Sequence, residues 1–140
     1  MNAAPAANDS LNPSAVMPNV PLIAIVDDDD SVRIALKSLI DSAGFHAETF
    51  AEGEEFLTSS YVAETDCLIA DVRMPGGIGG LELQERLKGL NSGIPMIFIS
   101  AHDDGDAKAR ALRAGAVAFL QKPFSADALF SAIKTALDQG

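Results

Sequence analysis

Cys67-Leu68-Ile69-Ala70-Asp71 is the stretch on which the fold turns: four apolar residues run into one carboxylate, and the pattern breaks at Met74-Pro75-Gly76-Gly77. A strand buried on both faces reads as an unbroken apolar run, which is the signature of a parallel sheet. A carboxylate at the carboxyl end of such a strand stands at the edge where open α/β sheets bind their ligands. A lone Asp there can equally begin a turn, so the remaining segments decide its meaning.

Outward from this strand the same pattern recurs. Leu22 to Val26 (LIAIV) is a second buried strand, ending in Asp27-Asp28-Asp29-Asp30. Asp30 or Ser31 can cap a helix there, since a side-chain oxygen satisfies free N–H groups of the first turn. Val32, Leu36, Leu39 and Ala43 mark one face of that helix, and Gly44 stops it. Phe45 to Phe50 is a more polar strand, expected near an edge, and Ala51 to Ser59 a short helix with Phe56 and Leu57 inward. Beyond Asp71, Gly76 to Gly80 is a loop, and Leu81, Leu83, Leu87 and Leu90 mark a helix whose outer side carries Glu82, Glu85, Arg86 and Lys88. Ile94 to Ser100 reads as a strand, Asp103 to Ala114 as a helix stopped by Gly115, and Ala116 to Leu120 as a fifth strand. Ser125 caps a last helix with an apolar stripe of Ala128, Leu129, Ala132, Ile133, Ala136 and Leu137. Five strands alternating with five helices predict an α/β fold, a doubly wound five-stranded parallel sheet with right-handed crossovers.

Composition bounds what such a domain can do. The chain has 140 residues, 48% of them apolar, enough for one domain with a real core. Its net charge of -10 repels phosphate backbones, which argues against direct nucleic-acid binding. Cys67 is the single cysteine and lies in an apolar run, so no disulfide framework or zinc pattern arises, as suits a reducing cytoplasm. No apolar segment approaches the about 18 residues that a membrane span needs, and no secretory pattern opens the chain. Residues 1–20, rich in Ala, Asn, Pro and Ser, read as a disordered leader, and residues 21–140 as the one folded domain.

The chemistry gathers at the strand ends. Asp27 and Asp28 follow the first strand, Asp71 ends the third, Ser100 ends the fourth and Lys122 follows the fifth. In a parallel sheet these ends share one edge. Three carboxylates cannot crowd together unpaired, and a hard divalent cation such as Mg²⁺ resolves the conflict. With Lys122 as a fixed cation and Ser100 as a hydroxyl donor, the set suits placing one phosphoryl group on Asp71. Asp29 and Asp30 read as solvated helix caps.

These segments resemble a known family. IVDDDDSVR (Ile25 to Arg33), DVRMPGG (Asp71 to Gly77), ISAHDD (Ile99 to Asp104), RAGA (Arg113 to Ala116) and QKPF (Gln121 to Phe124) together are similar to the receiver domain of bacterial two-component response regulators, FixJ-type branch, with a flavodoxin-like (CheY-like) fold. The resemblance spans roughly Leu22 to Asp138. It implies that Asp71 accepts a phosphoryl group from a sensor histidine kinase or phosphotransfer protein. It implies that Asp28, Asp71 and the Arg73 backbone carbonyl hold Mg²⁺, with Asp27 on a metal-bound water. Ser100 would contact the phosphoryl group, Lys122 would pair with it, and Phe119 takes the place of the switch aromatic. A cis Lys122-Pro123 peptide is expected, as is a downstream partner on the fourth helix, fifth strand and fifth helix. A phosphorylation-dependent homodimer and a cytoplasmic location complete that expectation. The loop Pro75 to Gly80 departs from the family by one extra residue, which bears on dephosphorylation and on partner access. His102 reads as a solvated loop residue.

Two other readings stay open on sequence. One is an aspartyl-phosphate phosphotransferase or phosphatase, although Arg73 stands where such enzymes usually carry a second acid. The other is an interaction module that works unphosphorylated. The sequence ends just past the fifth helix, which favours a stand-alone receiver over the receiver part of a longer FixJ-type transcription regulator.

Overall fold

A computed structural model describes residues 20–139; the expected leader lies outside the described residues. Five parallel strands, β1 (Leu22–Val26), β2 (His46–Phe50), β3 (Cys67–Asp71), β4 (Met96–Ser100) and β5 (Ala118–Gln121), form one sheet in the order β2-β1-β3-β4-β5. Each strand is followed by a helix: α1 (Asp30–Ser42), α2 (Gly53–Leu57), α3 (Gly80–Gly89), α4 (Gly105–Arg113) and, after β5, α5 (Ala126–Gln139). The α/β fold with its doubly wound five-stranded sheet is as the sequence predicts. A 3-10 turn, Ser60–Ala63, leads into β3 and is absent from the predicted elements.

β1, β3 and β4 are buried at every residue, which is why they read as continuous apolar runs. Their alternate side chains feed two cores. Ile23, Ile25, Cys67, Ile69, Ile97 and Ile99 pack against α1 and α5, while Ala24, Val26, Leu68, Ala70, Met96 and Phe98 face α2, α3 and α4. β2 lies at one edge and is partly polar, as expected; β5 lies at the other and is only half-buried despite its apolar sequence. No helix among the described residues is long and apolar enough to cross a membrane.

Several local expectations need correction. Of the acids read as caps, Asp29 is the one that caps α1, while Asp30 and Ser31 lie inside the helix: the Asp29 carboxylate accepts from the N–H groups of Ser31 and Val32. The buried face of α1 is Leu36 and Ile40, flanked by Val32 and Leu39, and Ala43 is exposed as the C-cap. Ile40 takes the inward place because it lies four residues, about one turn, beyond Leu36. Leu90 is 62% exposed, since α3 ends at Gly89 and Leu90 lies past its last turn. α2 is shorter than predicted, β4 begins at Met96 after Pro95, and β5 is shifted to Ala118–Gln121. Gly44 and Gly115 do close their helices, with φ of 94° and 104°, a conformation that favours glycine.

Candidate functional site

Sheet order alone makes the site. The chain winds outward in opposite directions from β1 and β3, so their carboxyl ends open a crevice at the switch point. Val26 pairs with Ala70 in register, which sets Asp27 beside Asp71. Lys122 arrives from the end of β5, placed by its backbone N–H donating to the Ser100 carbonyl at 2.7 Å. The Lys122-Pro123 peptide is cis, as the resemblance implies.

Lys122 Nζ bridges two carboxylates, 3.1 Å from Asp27 Oδ2 and 3.2 Å from Asp71 Oδ2. The other oxygen of each acid is held by backbone: Asp29 N–H donates to Asp27 Oδ1 at 2.9 Å and Arg73 N–H to Asp71 Oδ1 at 3.0 Å. Asp27 is wholly buried, Asp71 nearly so, and Asp28 is exposed at the rim. Burial pushes the Asp71 carboxyl above the usual carboxylate range; the Arg73 N–H opposes this, the Asp27 charge adds to it, and Lys122 only partly offsets it. Burial alone would lower the Lys122 ammonium, but the bond to Asp27 and the charges of Asp71 and Asp27 outweigh it and raise its pKa.

Asp27, Asp28 and Asp71 each offer an oxygen within 4.8 Å of the others. That set fits Mg²⁺: the donors are hard carboxylate oxygens, the acids outnumber the nearby ammonium, and one of them faces solvent where an ion can enter with its waters.

The remaining predicted residues sit around this cluster. Ser100 is buried, and its hydroxyl is engaged with the backbone of His102, donating to the carbonyl at 3.0 Å and accepting from the N–H at 3.1 Å. His102 itself is exposed. Phe119 pairs in register with Phe98, and the two rings stack with centroids 6.4 Å apart. Three features escaped the sequence reading. Arg33 Nη1 donates to the Asp27 carbonyl at 2.6 Å and Arg33 pairs with Asp30, so α1 braces the acidic turn. The Arg73 guanidinium reaches Asp104. Gly79 and Gly80 press their backbone against the end of β3. Arg33 has a sequence signal, since it lies one helical turn beyond the cap Asp29; the other two depend on loop paths that no periodicity records.

Comparison with known proteins agrees with this geometry. The pattern described as response regulator receiver domain matches residues 23–134. The response regulator protein TodT of Pseudomonas putida is 45% identical over 116 residues, covering 83% of this chain and 51% of TodT. The transcriptional regulatory protein FixJ of Bradyrhizobium diazoefficiens is 38% identical over 117 residues, covering 84% of this chain and 57% of FixJ. The chain thus spans about half the length of the curated relatives it matches. Among solved structures, the crystal structure of FixJ-N superposes with a TM-score of 0.78 at 33% identity, covering 86% of this chain and 95% of that one.

Proposed function

Because this chain belongs to the response regulator receiver domain family, whose members take a phosphoryl group on an aspartate and control a partner, we propose that Asp71 is its phosphoryl acceptor. The observation that carries this reading is the convergence of Asp71, Lys122, Asp27 and Asp28 at the β1/β3 crevice. Receiver domains interact with histidine kinases and bind Mg²⁺ in their acidic pocket. In this reading Asp28, Asp71 and the Arg73 carbonyl would hold the ion, with Asp27 serving one of its waters. The bound ion supplies positive charge that offsets the carboxylates and the incoming phosphoryl oxygens.

The transfer itself is a displacement at phosphorus. A carboxylate oxygen of Asp71 bonds to the phosphorus of a phosphohistidine as the P–N bond breaks. The electron pair goes to the imidazole nitrogen, and because the other ring nitrogen of the phosphohistidine carries a proton, a neutral imidazole departs. Lys122 neutralises a phosphoryl oxygen. Ser100 then exchanges its bonds to His102 for one to the phosphoryl group, Phe119 repacks against Phe98, and the face of α4, β5 and α5 changes shape for a partner or a second copy. The phosphoryl group acts as the ligand that shifts the balance between two packings. Slow hydrolysis of the acyl phosphate resets the domain, and the reading sets it in the cytoplasm, where the family works. A phosphotransferase acting on external substrates is disfavoured by Arg73, which stands where a second acid would be needed.

The test is intact mass after incubation with phosphoramidate and Mg²⁺, wild type beside Asp71→Asn. A gain of one phosphoryl group in the wild type alone, absent with EDTA and labile to base, is expected. A wild type that gains nothing, or an Asn variant that gains equally, overturns the assignment.

A further inference from the structure

Arg73 stands two residues beyond Asp71, and its backbone N–H already touches that carboxylate. Its guanidinium is occupied elsewhere: Nη2 donates to Asp104 Oδ2 at 2.5 Å, linking positions 31 residues apart. The other oxygen of Asp104 accepts from the Ala107 N–H at 3.1 Å and caps α4. One carboxylate therefore ties the loop after β3 to the start of α4. The Ala107 N–H holds Asp104 below the usual carboxylate range; burial opposes it next, and the charge and hydrogen bond of Arg73, then the charge of His102, add to the lowering.

An anionic phosphodonor meets an unfavourable field at this crevice. Asp27, Asp28 and Asp71 face it, and Lys122 is already bonded to two of them. Arg73 is the next cation along the chain from the acceptor, and Asp104 cancels its charge. The pair is water-accessible, with side chains 56% and 19% exposed, so it is held weakly. A phosphate group, which accepts two parallel bonds from a guanidinium, can displace a single carboxylate oxygen. We propose that Arg73 receives the anionic end of the phosphodonor and that Asp104 is a built-in competitor for it, so that this pair sets the affinity for the donor. The proposal rests on Asp71 being the acceptor, since the donor must be bound where the transfer occurs. With phosphoramidate, an Asp71 oxygen bonds to phosphorus as the P–N bond breaks, and the nitrogen leaves with its electron pair and protons as ammonia.

The rate of mass gain is measured against phosphoramidate concentration at saturating Mg²⁺. Asp104→Asn keeps an oxygen for the α4 cap but removes the charge. It lowers the half-saturating donor concentration by roughly fivefold and leaves the plateau rate unchanged, as expected for release of a screened ion pair. Arg73→Gln raises the half-saturating concentration, and the double variant matches Arg73→Gln. An Asp104→Asn variant with wild-type half-saturation, or one that still shifts it when Arg73 is Gln, overturns the proposal. A second measurement needs no phosphorylation: the Arg73 Nε–H NMR resonance is titrated with inorganic phosphate. Tighter phosphate binding in Asp104→Asn supports the competition even if the wild type takes no phosphoryl group, which would sink the acceptor assignment alone. Equal binding in the two proteins overturns the competition.

Discussion

Gly80 approaches the backbone of Asp71 so closely that a Cβ built on it would stand 2.6 Å from the Asp71 carbonyl oxygen. The same atom would lie 2.9 Å from the Phe98 ring, so the first residue of α3 is wedged between the end of β3 and the core. Glycine is needed here for space, not for an unusual φ. The loop before it is anchored too: Ile78 is buried, and a Cβ at Gly53 would strike its side chain at 2.8 Å.

Gly80→Ala is therefore expected to destabilise the domain by about 1–3 kcal/mol, the usual cost of overpacking, which exceeds the gain in helix propensity. Gly89→Ala is the matched control. It lies in the last turn of the same helix with nothing near its added methyl, and is expected to stabilise by about 0.4–1 kcal/mol. Urea unfolding with unchanged m-values checks both. Equal stability of the two variants would remove the steric account of Gly80.

Asp71 makes the free protein pH-sensitive in a definite direction. Its folded pKa is raised, chiefly by burial, and that direction already includes the attraction of Lys122. A carboxyl with a raised folded pKa contributes stability below its unfolded pKa and loses it as pH rises through the folded one. Without metal, Asp71→Asn should be more stable than wild type at neutral pH. The advantage should fade as pH falls below the usual carboxylate range, where Asp71 is neutral. Lys122 runs in the alkaline direction, its contribution being lost only as pH rises past its own raised pKa. Thermal unfolding of both proteins in EDTA across the acid range checks the sign.

The two halves of this design were not equally legible. β1, β3 and β4 were plain in the sequence because burial on both faces writes an unbroken apolar run, and the polar residues that end those runs marked the crevice. Asp27 and Lys122 are 95 positions apart, yet parallel strands on one edge sufficed to bring them together. Residues near a chain break in pattern were harder. Leu90 continues the apolar spacing of α3 but falls beyond the helix end, and the turn Ser60–Ala63 is too short to show a period. β5 has the composition of a buried strand, but an edge position leaves it half-covered, which composition does not encode. The contact of Arg73 with Asp104 depends on two loops meeting, and no local rule predicts it.

Cys67 offers a probe of the core beneath the site. It is fully buried at the start of β3, and burial, with a smaller push from Asp66, raises its thiol to about 12. At pH 8 about one thiol in ten thousand would be ionised, and the thiolate is the reactive form. Iodoacetamide should leave the native protein unlabelled and modify it once in urea, at a rate that follows global unfolding. Rapid labelling of the native protein would show that β3 opens locally.

Metal binding should depend most visibly on Asp28, because it is the exposed member of the three acids and its removal disturbs the fold least. In the metal-free protein Asp28→Asn should change stability by no more than about 0.5 kcal/mol, as for most surface substitutions. In the wild type, Mg²⁺ held at this cluster would bind the folded state and not the unfolded chain, so it should stabilise by roughly 2.7 kcal/mol at one hundred times its Kd. Asp28→Asn removes one anionic oxygen donor and leaves Lys122 competing for Asp27 and Asp71, so most of that stabilisation should disappear at the same Mg²⁺ concentration. Asp29→Asn keeps the α1 cap and alters no member of the cluster, so it should retain the wild-type response. Thermal unfolding with and without Mg²⁺ separates these cases, and an undiminished Mg²⁺ effect in Asp28→Asn would move the ion away from the β1/β3 crevice.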